Sequence, residues 1–245
     1  MRVSAAVQLI DDLTGLPITG SNARVWIDSH KPPIKKSGGV NIFTDLAEGE
    51  YTLIAEGGQY ARTEVVCRVN AKDCTNMTIR LLPSRLYPVP SDTVRIEGRA
   101  LPGSLVRIWN SDKANALKLL SDASKGSSVI GIYINSDINI VGKLLRIVSA
   151  DDKAEYIRVS GIENKERSEY RLAGELTEDH PKMGAAVIQV CECRADSSGE
   201  FMLLIKKTTG DKLICEATDP DTGEDIQQTI DIADSKYIKV DLNRA

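Results

Sequence analysis

Apolar and polar residues alternate along most of the chain. Val3, Ala5, Val7 and Leu9 interleave with Ser4, Ala6 and Gln8, the two-residue period of a strand with one buried face. Segments of the same character follow at 23–28, 40–44, 51–56, 62–69 and 76–82. They resume at 93–98, 105–109, 117–120, 128–133, 143–148, 155–160, 169–172, 186–192, 201–206, 212–217, 227–232 and 237–242. Short turns rich in Gly, Asp, Asn and Pro separate them, which is the spacing of a sandwich or barrel. Only 113–123 also suits a short helix, and its Leu117, Leu119 and Asp122 fit a strand and turn. The pattern predicts an all-β fold.

The chain repeats itself. Gly20-Ser21 precedes Arg24-Val25-Trp26, and Gly103-Ser104 precedes Arg107-Ile108-Trp109; the Gly-to-Trp spacing is the same, and these are the only two tryptophans. Gly49-Glu50-Tyr51-Thr52-Leu53-Ile54 is echoed by Gly210-Asp211-Lys212-Leu213-Ile214. Met77 to Leu81 is echoed by Ile238 to Leu242. Trp26 precedes its Gly motif by 23 residues and Trp109 by 101, so the second copy carries an insertion. A repeat of this length marks one structural unit used twice. The expected organisation is a sandwich over 1–84, a proline-rich linker over 85–90 and a second sandwich from 91–123 and 195–245. A β module over 124–194 interrupts that second sandwich, at a loop tip where insertion leaves the host pairing intact.

Two resemblances bear on these pieces. Asp11-Asp12-Leu13-Thr14-Gly15-Leu16-Pro17-Ile18, Ala23-Arg24-Val25, Gly38-Gly39-Val40-Asn41-Ile42-Phe43-Thr44-Asp45-Leu46 and Gly49-Glu50-Tyr51-Thr52-Leu53 together resemble a carboxypeptidase regulatory-like, or prealbumin-like, β-sandwich. The resemblance implies a prealbumin/Ig-like fold and little about activity. In the insert, Gly126, Ser128 to Tyr133, Gly142 to Ile147, Glu155-Tyr156-Ile157-Arg158-Val159, and Asp179-His180-Pro181 to Val187 resemble a small β module of phage structural proteins. Lys182-Met183 depart from the small residues usual there. This second resemblance implies a structural subunit of a phage tail or phage-tail-like contractile particle. Its partners would be other particle proteins, with homo-oligomers among the assemblies it allows.

Charge and composition narrow the field. The net charge is −4 with both signs interspersed, so no basic patch is expected for nucleic acid. No apolar run reaches the length of a membrane span. The first residues lack the apolar core of a signal peptide, so synthesis in the cytoplasm is expected; residence in a particle is what the second resemblance implies. Five cysteines, Cys67, Cys74, Cys191, Cys193 and Cys215, are an odd number for a disulfide framework. Cys191 and Cys193 should share one face of a strand.

No catalytic, cofactor or metal residues are expected. His30 and His180 are the only histidines, each in a proline-containing turn. Asp219-Pro220-Asp221-Thr222-Gly223-Glu224-Asp225 clusters carboxylates, but it lacks a calcium loop's pattern and echoes the Asp-Leu-Thr-Gly turn at 12–15. Paired acids such as Glu178-Asp179 could serve glycoside hydrolysis only across an aromatic cleft, and aromatics are 4% of the chain.

The candidate interface residues are Arg24, Trp26, Arg107 and Trp109. With Val25, Ile27, Val106 and Ile108 facing the cores, these four lie on the opposite faces, and Trp and Arg are enriched at interface hot spots. The other placement open to each Trp is as the anchor of its own core. A different class, a cell-surface glycan- or protein-binding module of adhesin type, is the alternative to a particle subunit.

Overall fold

In the first part of the chain seven strands form: β1 (Val3–Asp11), β2 (Arg24–Ile27), β3 (Ile34–Lys35), β4 (Val40–Thr44), β5 (Gly49–Gly57), β6 (Tyr60–Val69) and β7 (Thr75–Leu81). The computed structural model describes residues 2–28, 30–70, 72–134, 138–207, 210, 212–233 and 235–243. Asp211, part of the second Gly motif, lies outside them. One sheet runs β3-β4-β1-β7 and the other β2-β5-β6. β1 pairs antiparallel with β4 and parallel with β7. Val7, Leu9, Phe43, Ile79 and Leu81 from one sheet meet Val25, Leu53, Cys67 and Val69 from the other in a single core. Each such side chain, taken fully from water, contributes about 1.5–3 kcal/mol.

The second part holds β8 (Thr93–Arg99), β9 (Leu105–Asn110), β10 (Lys118–Leu119), β11 (Val129–Tyr133), β12 (Leu144–Val148), β13 (Ala154–Asn164), β14 (Glu169–Leu172), β15 (Ala186–Arg194), β16 (Glu200–Lys206), β17 (Lys212–Thr218), β18 (Asp225–Asp231) and β19 (Tyr237–Asp241). The chain divides into two compact units, Met1–Pro88 and Val89–Ala245. The protein is all-β, and the second sandwich repeats the pairings of the first. β8 takes the place of β1, with β16 antiparallel on one side and β19 parallel on the other. β9, β17 and β18 match β2, β5 and β6. The registers agree to the residue. Trp26 faces Ile54 and Arg24 faces Glu56, while Trp109 faces Ile214 and Arg107 faces Glu216.

Between β9 and β16 six strands are added, and they extend the β9-β17-β18 sheet to nine: β10-β11-β14-β13-β12-β15-β9-β17-β18. β15 makes the join. Its first half pairs with β12 and its second half with β9. The stretch 113–123 forms a 3-10 turn, Lys113–Asn115, followed by β10. β10 pairs with β11, and Leu119 and Ala123 pack in the core of the added strands with Ile130, Leu145, Ile157 and Val187. These two residues are apolar and reach that core across the hairpin, so the stretch belongs physically with the module it precedes. The proline-rich segment is likewise partly docked. Tyr87 packs on the first core, and its hydroxyl donates to Asp11 Oδ2 at 2.6 Å.

Candidate interaction surfaces

In the first sandwich Val25 and Ile27 enter the core, so the pleat sends Arg24 and Trp26 to the outer face. Trp26 is half-buried and Arg24 is exposed. The Arg24 guanidinium lies 4.8 Å from the Trp26 ring centroid and 2.5 Å from Glu56 Oε1. Trp26 Nε1 donates to Asp28 Oδ1 at 3.0 Å. Ile54, opposite Trp26, is 4% exposed although it does not belong to the core beneath. Arg24, Trp26, Ile54 and Glu56 therefore form a two-strand patch. β2 ends its sheet, and among the described residues no strand pairs with its outer edge.

In the second sandwich the equivalent patch is covered, which corrects the expectation that Arg107 and Trp109 present a docking face. Trp109 is only 2% exposed and packs with Leu144, Val148, Ala186, Ile188 and Val190. The ring of Tyr156 meets it edge-on at 6.1 Å, and the Arg146 guanidinium lies 5.1 Å from its centroid. Arg107 donates to Glu216 Oε1 at 3.0 Å and Thr218 Oγ1 at 3.2 Å and sits 4.3 Å from the Tyr156 ring. Tyr156 also donates its hydroxyl to Glu216 at 2.7 Å. Burial, with Glu216 alongside, pushes the Tyr156 phenol well above its usual value. The physical reason is β15, which carries the added strands onto the free edge of β9 and brings β12 and β13 side chains over the patch.

The sequence assigned Tyr156, Arg146, Glu216 and Glu192 no interface role. One had a signal: Ile214-Cys215-Glu216 repeats Ile54-Ala55-Glu56 with the motif, placing an acid opposite each arginine. The others depend on which strand lies beside β9, which no local pattern reveals.

Ser149, His180 and Glu155 form a hydrogen-bonded row that spacing in the sequence does not disclose. Ser149 Oγ lies 2.6 Å from His180 Nδ1, and His180 Nε2 lies 2.8 Å from Glu155 Oε1. The residue types are those of an activated nucleophile. However, Ser149 is 1% and His180 0% exposed, so a substrate has no route to the hydroxyl. Glu155 also accepts from Thr177 N, Thr177 Oγ1 and Glu178 N. Burial would raise its pKa, but these bonds outweigh burial and hold the carboxyl below its usual value. The row fastens β13 to the 177–180 turn. His30, by contrast, is exposed and meets Tyr51 edge-on.

The Asp219 turn uses its carboxylate internally. Asp219 Oδ1 accepts Asp221 N at 2.7 Å and Thr222 N at 3.1 Å, and Gly223 N donates to Asp219 O. Asp11 does the same for Leu13 N, Thr14 N and Gly15 N. Gly15 and Gly223 both hold φ near +74°, at 73° and 74°, which explains the glycine at the fifth position. Cys191, Cys193 and Cys215 share the inner face of neighbouring strands, opposite Ile108 and Val106. Burial pushes the Cys215 thiol up to about 12. Among the described residues no helix is long and apolar enough to cross a membrane.

No family model matches the chain, and no curated protein matches it in sequence. Solved structures are similar at low identity. The Bacillus anthracis TIE protein is 10% identical with a TM-score of 0.28; the match covers 98% of this chain, which spans half of that one. The shaft pilin SpaA of Lactobacillus rhamnosus GG is 13% identical with a TM-score of 0.24, covering 100% of this chain and 99% of that one. A DUF3823 family protein from Bacteroides ovatus is 11% identical with a TM-score of 0.25, covering 93% and 97%. The likeness is remote, and the sandwich fold described above rests on its own strand pairings.

Proposed function

We propose that this chain is a non-enzymatic structural subunit of a phage tail or phage-tail-like contractile particle, at the baseplate or as a tail accessory, acting through protein–protein surfaces. The observation that carries this reading is the continuous nine-stranded sheet. A module joined to its host through a shared strand is held by backbone hydrogen bonds, not by a hinge. That suits a part that transmits position and load. The phage-like resemblance of 126–191 supports the same class, and its Glu155–Val159 segment lies within β13, the strand that supplies Tyr156. Of the groups able to do chemistry, Ser149 and His180 are buried, and with the half-buried Glu155 they act as fasteners. The chain would be made in the cytoplasm and carried in the particle.

The test is co-sedimentation of the tagged chain with particles from cells that carry sheath, tube and hub genes beside its own. Recovery in the particle fraction with a second particle protein cross-linked to it is the expected result. Absence from particles, together with a saturable glycan-array signal, would move the chain to the adhesin class.

A further inference from the structure

We infer that the free edge of β2 is a strand-acceptor site for a partner protein. The occupant would be an extended segment bearing an aliphatic residue and, two positions later, an acid. The template lies within the molecule. In the second sandwich the Trp–Arg strand β9 has neighbours on both edges. Trp109 is flanked by Ile214 of β17 and Val190 of β15, and Arg107 by Glu216 and Glu192. Each neighbour presents aliphatic-Xaa-Glu in antiparallel register. In the first sandwich, among the described residues, the strand neighbours of Trp26 and Arg24 are Ile54 and Glu56, both from β5. No described strand stands in the third place of that ladder, while the residues that would receive it are present.

The chemistry of the occupant follows from what each position meets. An antiparallel edge strand leaves alternate N–H and C=O groups pointing outward, ready for a further strand. Trp26, half-buried, keeps ring surface for one aliphatic side chain. The Arg24 side chain is 69% exposed, and a second strand would bring an acid into register with it, the position Glu192 holds beside Arg107 while its carboxylate bonds Arg158. The acid distinguishes this edge from the other sheet ends, since both tryptophans lie on β2 and β9 and no other end strand carries a Trp–Arg pair to read it.

This inference deepens the assembly reading and rests on it for the existence of a partner, yet it is tested without particles. The probe is a synthetic peptide of residues 186–194 with serine in place of both cysteines, titrated into the full chain by calorimetry and hydrogen exchange. The expected result is saturable binding with new protection at residues 24–27. Arg24→Glu should weaken it roughly tenfold, and a peptide with lysine in place of its glutamate should recover most of that loss. Arg24 is exposed, so the variant should keep its far-UV spectrum, with its melting temperature lowered only slightly by the acid then facing Glu56. Absence of binding at millimolar peptide, protection at another edge, or unchanged affinity in Arg24→Glu would each overturn the proposal. Concentration-dependent protection of 24–27 without peptide would make the occupant a second copy and overturn the partner assignment. None of these outcomes bears on co-sedimentation with particles, so the two readings fail separately.

Discussion

Trp26 and Trp109 occupy the same position in two copies of one sandwich, each facing an isoleucine on the neighbouring strand, yet one is half-buried and the other is 2% exposed. The difference is made by the added strands. β15 lies against β9 and brings β12 and β13 side chains onto Trp109, and among the described residues it has no counterpart beside β2. The same local sequence therefore has two energetic meanings, set by tertiary context.

Single-tryptophan variants should separate the two. With Trp26→Phe the remaining Trp109 should emit at short wavelength and resist acrylamide; with Trp109→Phe the remaining Trp26 should emit at longer wavelength and be readily quenched. Trp109→Ala should cost about 3–5 kcal/mol of unfolding free energy. Trp26→Ala should cost about 1 kcal/mol. Urea titration of the two alanine variants checks the contrast, and equal costs would contradict the burial described.

The two arginine–glutamate pairs should differ in the same sense. Arg24 and Glu56 side chains are 69% and 30% exposed, so Glu56→Ala should cost less than about 1 kcal/mol. Arg107 and Glu216 are 17% and 9% exposed, and Tyr156 also donates to Glu216. Glu216→Ala would remove the carboxylate bonded to Arg107 and should cost about 2–4 kcal/mol, a little under a fully buried pair. Tyr156→Phe should cost about 1 kcal/mol through the lost hydrogen bond. A double-mutant cycle between 107 and 216 measures the coupling directly.

The fastening of the 177–180 turn should depend on acid. The Glu155 carboxyl has a folded-state pKa below its usual 4.5. Its contribution is therefore complete above pH 4.5 and is lost as pH falls through the lower folded value. Unfolding free energy measured between pH 6 and pH 3 should fall across that window. In Glu155→Gln the part of the slope due to this residue should vanish. An unchanged slope would show that the carboxylate is not held by Thr177, Glu178 and His180.

Thiol reactivity should follow burial. Cys74 is exposed, while Cys67 and Cys215 are fully buried, and the Cys215 thiol is pushed up to about 12. At pH 8 an alkylating reagent should label Cys74 first. Cys67 and Cys215 should be labelled only in denaturant, as peptide mapping would reveal.

Much of this fold was legible because strand alternation and turn residues are local signals. β1 shows it from Ala5 to Leu9, where Ala6 and Gln8 alternate with buried neighbours, although a register shift at Val3–Ala5 buries Ser4 and exposes Val3; so does Gly15 at its φ > 0 turn. The repeat was legible because Arg24-Val25-Trp26 and Arg107-Ile108-Trp109 keep their spacing. The two-residue strand β3 was not expected, since Ile34–Lys35 is too short to carry a period. The covering of Trp109 was also hidden. It depends on β15 pairing with both β12 and β9, a long-range choice that alternation in 186–194 allows but does not dictate. The Ser149–His180–Glu155 row is hidden for the same reason, because its members meet only after β13 and the 177–180 turn have docked.

The Asp219 turn supplies the last test. Asp219 is bonded to two backbone N–H groups, which holds its carboxyl below the usual range, and Asp225 Oδ1 accepts the Thr218 hydroxyl at 2.6 Å. These oxygens would have to break turn bonds before joining a calcium shell, which needs six to eight ligands. Millimolar calcium should therefore leave the melting temperature unchanged. Gly223→Ala should lower stability by about 1 kcal/mol, because alanine pays for the positive φ that glycine adopts freely. Gly15→Ala should do the same in the first unit, since both turns are closed by an aspartate four residues earlier. A calcium-dependent rise in melting temperature that Asp219→Asn abolishes would show instead that the turn is a metal site.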